Sequence, residues 1–168
     1  QVLADKTGAL ISTAARMGVM FSGAPREYAD PVTEYGEGIG VAFQLIDDVI
    51  DLSPKAEHTG KRAGTDLRAG VVTMPLLLLR ARAEAGDGEA GALCERIDAG
   101  VARIAAGEDA ALLDPEVEAL REHPVTAETE AAARQWAERA VAALGILPKS
   151  QVRRGLERMA ESIVSREG

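Results

Sequence analysis

Asp47, Asp48 and Asp51 stand inside a mostly apolar stretch, Gly40 to Leu52. Aspartate is a poor residue in a helix interior, and gathering negative charge among apolar side chains is costly unless a cation neutralises it. On a helix, positions 47 and 51 lie one turn apart and project from one face, with Gln44 a turn earlier on the same side. Hard carboxylate oxygens so spaced suit Mg²⁺, which takes few protein ligands and completes its shell with water and phosphate oxygens. A solvated acidic helix end would carry the same bare DDxxD pattern. The flanking Ile46, Val49 and Ile50 weigh against that reading.

Basic residues accompany the acids. Lys6-Thr7 lies in the segment before them, and Lys61 in the segment after. Taken singly, each has an ordinary explanation. A lysine on a mostly apolar helix snorkels to water, and a threonine back-bonds to its own helix. Gly60-Lys61-Arg62-Ala63-Gly64-Thr65-Asp66 lacks the spacing of a Walker A loop. Asp66 and Arg68 read as a local ion pair of little energetic weight. Taken together, the carboxylates, the two lysines and the glycine-rich loop form a cradle suited to magnesium and a diphosphate.

The elements that must position these residues are helices. Aromatics make up only 3% of the chain and no alternating β-branched run occurs, so the pattern predicts an all-α fold. A first helix is expected over about 2–20, with Leu3, Leu10, Ala14, Met17 and Phe21 on its apolar face. Ser22-Gly23-Ala24-Pro25 ends it. Asp30-Pro31 is expected to open the second helix as N-cap and first-turn proline. Its apolar stripe is Val32, Tyr35, Ile39, Ala42, Phe43, Ile46 and Ile50, spaced by three and four. Gly36, Gly38 and Gly40 interrupt this helix at about 1 kcal/mol each relative to alanine, which points to a close neighbour, either a helix or a ligand. Residues 53–72 read as a long polar loop without an apolar face, a kind usually functional or disordered. Further helices are expected at 73–85, 88–106, 115–122, 127–144 and 149–165, with Asp114-Pro115 starting one and Gly145 stopping another.

Composition bounds the rest. With 168 residues, 46% of them hydrophobic and 27% charged, the chain suits one compact soluble domain. A net charge of −8 argues against a nucleic-acid or anionic-membrane surface. Cys94 is the only cysteine, which forbids an internal disulfide and fits a cytoplasmic location. The longest apolar run, Met74 to Leu79, is far too short to span a membrane. The sequence begins at Gln1 already in a helical pattern, so it reads as part of something larger.

The motifs resemble those of the trans-isoprenyl (polyprenyl) diphosphate synthase family. Phe43-Gln44-x-x-Asp47-Asp48-x-x-Asp51 is similar to that family's second aspartate-rich motif, and Lys6-Thr7-Gly8-Ala9-Leu10 to the lysine–threonine helix before it. Gly60-Lys61-x-x-Gly64-x-Asp66, followed by Gly70-x-x-Thr73-x-Pro75-Leu76, resembles the loop after it. The resemblance implies a multi-helix bundle of the isoprenoid synthase type, of which residues 1–168 form the carboxyl-terminal part of a single domain. It implies a magnesium-dependent prenyltransferase that condenses an allylic diphosphate with isopentenyl diphosphate. Asp47 would ligate Mg²⁺ directly, and Asp48 and Asp51 would act through the metal's water shell or a further ion. Lys6 and Lys61 would hold the allylic diphosphate, Thr7 and Gln44 would lie beside the developing allylic cation, and Gly64 and Asp66 would support the loop. A homodimer is the family expectation. The wording Gly64-Thr65-Asp66-Leu67-Arg68 leans towards medium- or long-chain products.

Two departures accompany the resemblance. Val71 stands where the family often has a lysine after glycine, which implies that one phosphate contact is absent or supplied elsewhere. The first aspartate-rich motif and the basic residues for isopentenyl diphosphate belong to the family's amino-terminal half, absent from this sequence, so the 168-residue piece is expected to be inactive alone. The alternatives are a class I terpene cyclase and a non-catalytic partner subunit of a prenyl synthase. The cyclase would need a second metal motif built on asparagine or aspartate, then serine or threonine, then glutamate. This sequence has no asparagine, and Asp51 stands where such a motif needs serine or threonine.

Overall fold

The computed structural model describes residues 7–54 and 62–166, and every regular element among them is helical. In chain order these are α1 (Ala9–Phe21), α2 (Ala29–Ile50), α3 (Thr65–Arg68), α4 (Met74–Glu84), α5 (Gly88–Ala105), α6 (Asp114–Glu122), α7 (Pro124–Ala143) and α8 (Gln151–Val164). None of the described helices is long and apolar enough to cross a membrane. The all-α expectation holds. The chain divides into two compact units, one holding residues 1–46 and 130–166, the other mainly residues 47–129.

The first unit is built on α2. Val32, Tyr35, Ile39, Ala42 and Ile46 of the expected stripe are buried. The first four of these pack with Ala137, Ala140, Leu144, Ala160 and Ile163. Tyr35 is 1% exposed, and its phenol donates to the Leu156 carbonyl at 2.8 Å, which satisfies the buried hydroxyl. The three glycines of α2 face other helices. A β-carbon on Gly36 would lie 2.6 Å from Ser12 Cα, and one on Gly40 would lie 2.4 Å from Gly8 Cα. One on Gly38 would lie 2.9 Å from Ala140 Cβ. α1 and α7 therefore approach closer than any side chain at these positions would allow.

That close approach corrects the expected face of α1. Leu10, Met17 and Phe21 are 69%, 51% and 81% exposed, while Ser12 is buried and Ala15 and Val19 pack on the core. Small residues, rather than the large apolar ones, fit against a glycine surface. Leu3 lies outside the described residues.

In the second unit, Leu52, Leu67, Leu76, Leu79, Leu93, Ile97, Val117, Leu120 and Val125 form the core. α5 starts at Asp87, whose carboxylate accepts from the Glu89 and Ala90 amides at 3.0 and 3.1 Å. Within the expected 53–72 loop the structure places a short helix, α3, too brief to leave a periodic signature. Gly64 precedes it at φ +69°, a left-handed conformation that favours glycine, and a β-carbon there would meet Val117 Cγ2 at 2.4 Å. Several boundaries also differ, α7 starting at Pro124 rather than 127 and α8 at Gln151 rather than 149. α2 starts at Ala29, one residue before Asp30, after a 3-10 turn at Arg26–Tyr28. α7 ends at Ala143 and continues as a 3-10 turn, Leu144–Ile146, that includes Gly145.

Candidate functional site

The three aspartates leave the end of α2 in different environments. Asp47 is exposed, Asp48 is 7% exposed, and Asp51 is half-buried. The helix continues through them, since the Asp51 amide donates to the Asp47 carbonyl at 3.0 Å. Successive helical residues point in different directions, so Asp47 and Asp48 face different surroundings although they are neighbours.

Asp48 turns inward. Its Oδ2 accepts the Met74 amide at 2.8 Å, at the start of α4. Asp51 Oδ2 accepts the Asp66 amide at 3.1 Å, in the first turn of α3, and the Asp51 carbonyl accepts the Gly64 amide at 2.6 Å. The end of α2 thus holds the starts of two later segments through its own carboxylates and main chain. Burial pushes the Asp48 carboxyl up to about 6. The Met74 amide opposes that rise, and the charges of Asp66, Asp47 and Asp51 add to it.

Asp66 is half-buried, and its carbonyl accepts the Val71 amide at 2.9 Å. Its expected ion pair with Arg68 is replaced by a different one. The Arg68 side chain is only 8% exposed, and its guanidinium donates to Asp114 Oδ1 at 2.7 Å, to the Ala63 carbonyl at 3.0 Å and to the Ala110 carbonyl. Arg68 clamps α3 to Ala110 and Asp114, which sequence spacing did not reveal because these two partners lie more than forty residues away. Val71 is 44% exposed beside this segment.

The remaining expected residues belong to the first unit or lie outside the described residues. Thr7 is half-buried, and its carbonyl carbon would be 3.4 Å from a β-carbon on Gly40. Gln44, also half-buried, stands one turn further along α2. The start of α1 and the Gln44 turn are therefore neighbours within that unit. Lys6 and Lys61 lie outside the described residues.

Among the described residues, no group of three histidine, cysteine or carboxylate side chains is arranged to hold a metal ion. Asp47 is the exposed carboxylate of the group, and the charges of Asp66, Asp47 and Asp51 are near enough to act on Asp48.

Comparison with known proteins identifies the family. Residues 1–104 match the family profile described as Polyprenyl synthetase. The chain is 36% identical to nonaprenyl diphosphate synthase of Mycobacterium tuberculosis over 169 aligned positions, covering 100% of this chain and 48% of that protein. It is 32% identical to octaprenyl diphosphate synthase of Escherichia coli, covering 99% of this chain and 49% of that one. Among solved structures, a polyprenyl synthase from Caulobacter crescentus, complexed with calcium and isoprenyl diphosphate, superposes with a TM-score of 0.83 at 30% identity. That match covers 99% of this chain and 48% of the other. The chain spans about half the length of the curated relatives it matches.

Proposed function

This chain belongs to the polyprenyl synthetase family, and from that premise we propose that the complete protein extends a trans-polyprenyl diphosphate by adding isopentenyl diphosphate to an allylic diphosphate. The observation that carries the reading is the gathering of Asp47, Asp48, Asp51 and Asp66 in one small region, with Asp47 exposed. Gathered carboxylates raise the affinity of a region for a divalent cation.

Asp47 is the residue that would hold magnesium, with Asp51 and Asp48 behind it. When bound, the metal supplies positive charge to the diphosphate as it departs. In the reaction the allylic carbon–oxygen bond breaks and its electron pair leaves with diphosphate. The double bond of isopentenyl diphosphate then forms the new carbon–carbon bond, and a proton is lost. Charge separates in the first step, so groups fixed around the departing diphosphate act where the barrier lies. Lys6 and Lys61 are proposed to pair with that diphosphate, and Thr7 and Gln44 to line the allylic carbon. Gly64 and Asp66 support the segment that follows Lys61. We place the protein in the cytoplasm and assign it the homodimeric state expected of its family.

The test is prenyl transfer by the complete protein carrying Asp47→Ala. Turnover is expected to fall by a factor on the order of 10³ with helicity unchanged. Near-normal transfer by this variant would remove Asp47 from the site.

A further inference from the structure

α4 starts without a cap of its own. Thr73, at its N-cap position, is 3% exposed, and its hydroxyl makes no capping hydrogen bond. The first amides of a helix have no partner within the helix, and leaving one unpaired away from water is costly. Here the Met74 amide is taken by Asp48 Oδ2, contributed from 26 residues earlier in the chain. The rest of α4 is anchored by Leu76 and Leu79 in the core of the second unit. One carboxylate oxygen therefore ties the end of α2 to an element that is itself firmly packed.

Asp48 is also turned away from the surroundings of Asp47. It is buried where Asp47 is exposed, and neighbouring residues on a helix do not share a face. To ligate a metal beside Asp47, the Asp48 carboxylate would have to leave the Met74 amide and emerge from its buried position.

From this geometry we infer that Asp48 is a positioning residue that caps α4 and fixes the turn of α2 from which Asp47 projects, and is not a ligand of the metal. The inference moves Asp48 out of the metal's water shell. It rests on the proposed magnesium–diphosphate site for what is being positioned, while the cap stands on the hydrogen bond alone. The two roles make different chemical demands. A cap needs an oxygen that accepts from an amide, which asparagine also offers, whereas a magnesium ligand of this kind needs the carboxylate charge.

The experiment compares Asp48→Asn, Asp48→Ala and Asp47→Asn in the complete protein with two readouts. One is amide hydrogen exchange at Met74, and the other is thermal stabilisation by magnesium with inorganic diphosphate. Asp48→Asn is expected to keep Met74 protected and to weaken the magnesium response much less than Asp47→Asn does. Asp48→Ala is expected to speed Met74 exchange about tenfold. Asp47→Asn is expected to lose the magnesium response while Met74 stays protected. A loss of magnesium response in Asp48→Asn as large as in Asp47→Asn, with Met74 still protected, would make Asp48 a ligand and overturn the inference. Unchanged Met74 exchange in Asp48→Ala would overturn it too. If the parent protein shows no magnesium response, the functional reading fails, and Met74 exchange in the two Asp48 variants still decides whether the cap exists.

Discussion

Between Gly36 and Gly40, α2 packs backbone against backbone; between Asp48 and Asp51 it packs carboxylates against amides. In the first stretch, Ser12 and Gly8 approach to within what would be 2.6 and 2.4 Å of a β-carbon, and no charge is involved. In the second, Asp48 and Asp51 accept from Met74 and Asp66 while negative charge accumulates around them. Shape holds the glycine stretch, so any added atom disrupts it. Hydrogen bonds hold the acidic stretch, and the raised Asp48 carboxyl makes it the part whose stability depends on pH. Residues that lower stability tend to stand where function needs them.

The contrast can be broken most directly at the glycines. Gly40→Ala places a methyl group against the Gly8 backbone, which cannot swing aside as a flexible side chain would. Unfolding in urea is expected to show a loss of about 3 kcal/mol. A loss under about 0.5 kcal/mol would mean the helices are not held at that distance.

At the acidic end the sign reverses. The Asp48 carboxyl is raised from 3.8 to about 6 in the folded chain, by burial first and by its acidic neighbours. A carboxyl raised on folding favours the folded state while protonated, so its contribution is full below about pH 4 and is lost as pH rises through about 6. In metal-free protein at pH 8, Asp48→Asn is therefore expected to increase stability by about 2 kcal/mol, and to flatten the change between pH 4 and pH 7. Denaturation curves across that range check it. An unchanged pH profile would show that Asp48 is not the group responsible.

The smallest effect is expected on the outer face of α1. Because Leu10 is 69% exposed, Leu10→Gln in the 168-residue chain should change stability by less than about 0.5 kcal/mol. A loss of about 2 kcal/mol in the same urea measurement would instead place Leu10 in a packed interface.

These contrasts also show what the sequence could reveal. The α2 stripe was legible because Val32, Tyr35, Ile39, Ala42 and Ile46 repeat at helical spacing, and all five are buried. Gly36, Gly38 and Gly40 were legible as points of close approach because nothing else explains three such residues in one helix. The partner face of α1 was misread for the same physical reason: a glycine surface selects Gly8 and Ser12, while periodicity selects Leu10 and Met17. α3 has four residues, too few for a pattern. The carboxylates were visible as a cluster, but the division between exposed Asp47 and buried Asp48 depends on Met74, whose amide identifies itself only in three dimensions. The clamp of Arg68 on Asp114 is hidden likewise by 46 residues of separation.

The central claim is that the end of α2 holds magnesium together with a diphosphate, and the most direct measurement is calorimetric titration of the complete protein with inorganic diphosphate, with and without magnesium. The account predicts binding that requires magnesium and weakens by at least about tenfold in Asp47→Ala. Equal binding without magnesium, or undiminished binding in that variant, would contradict it.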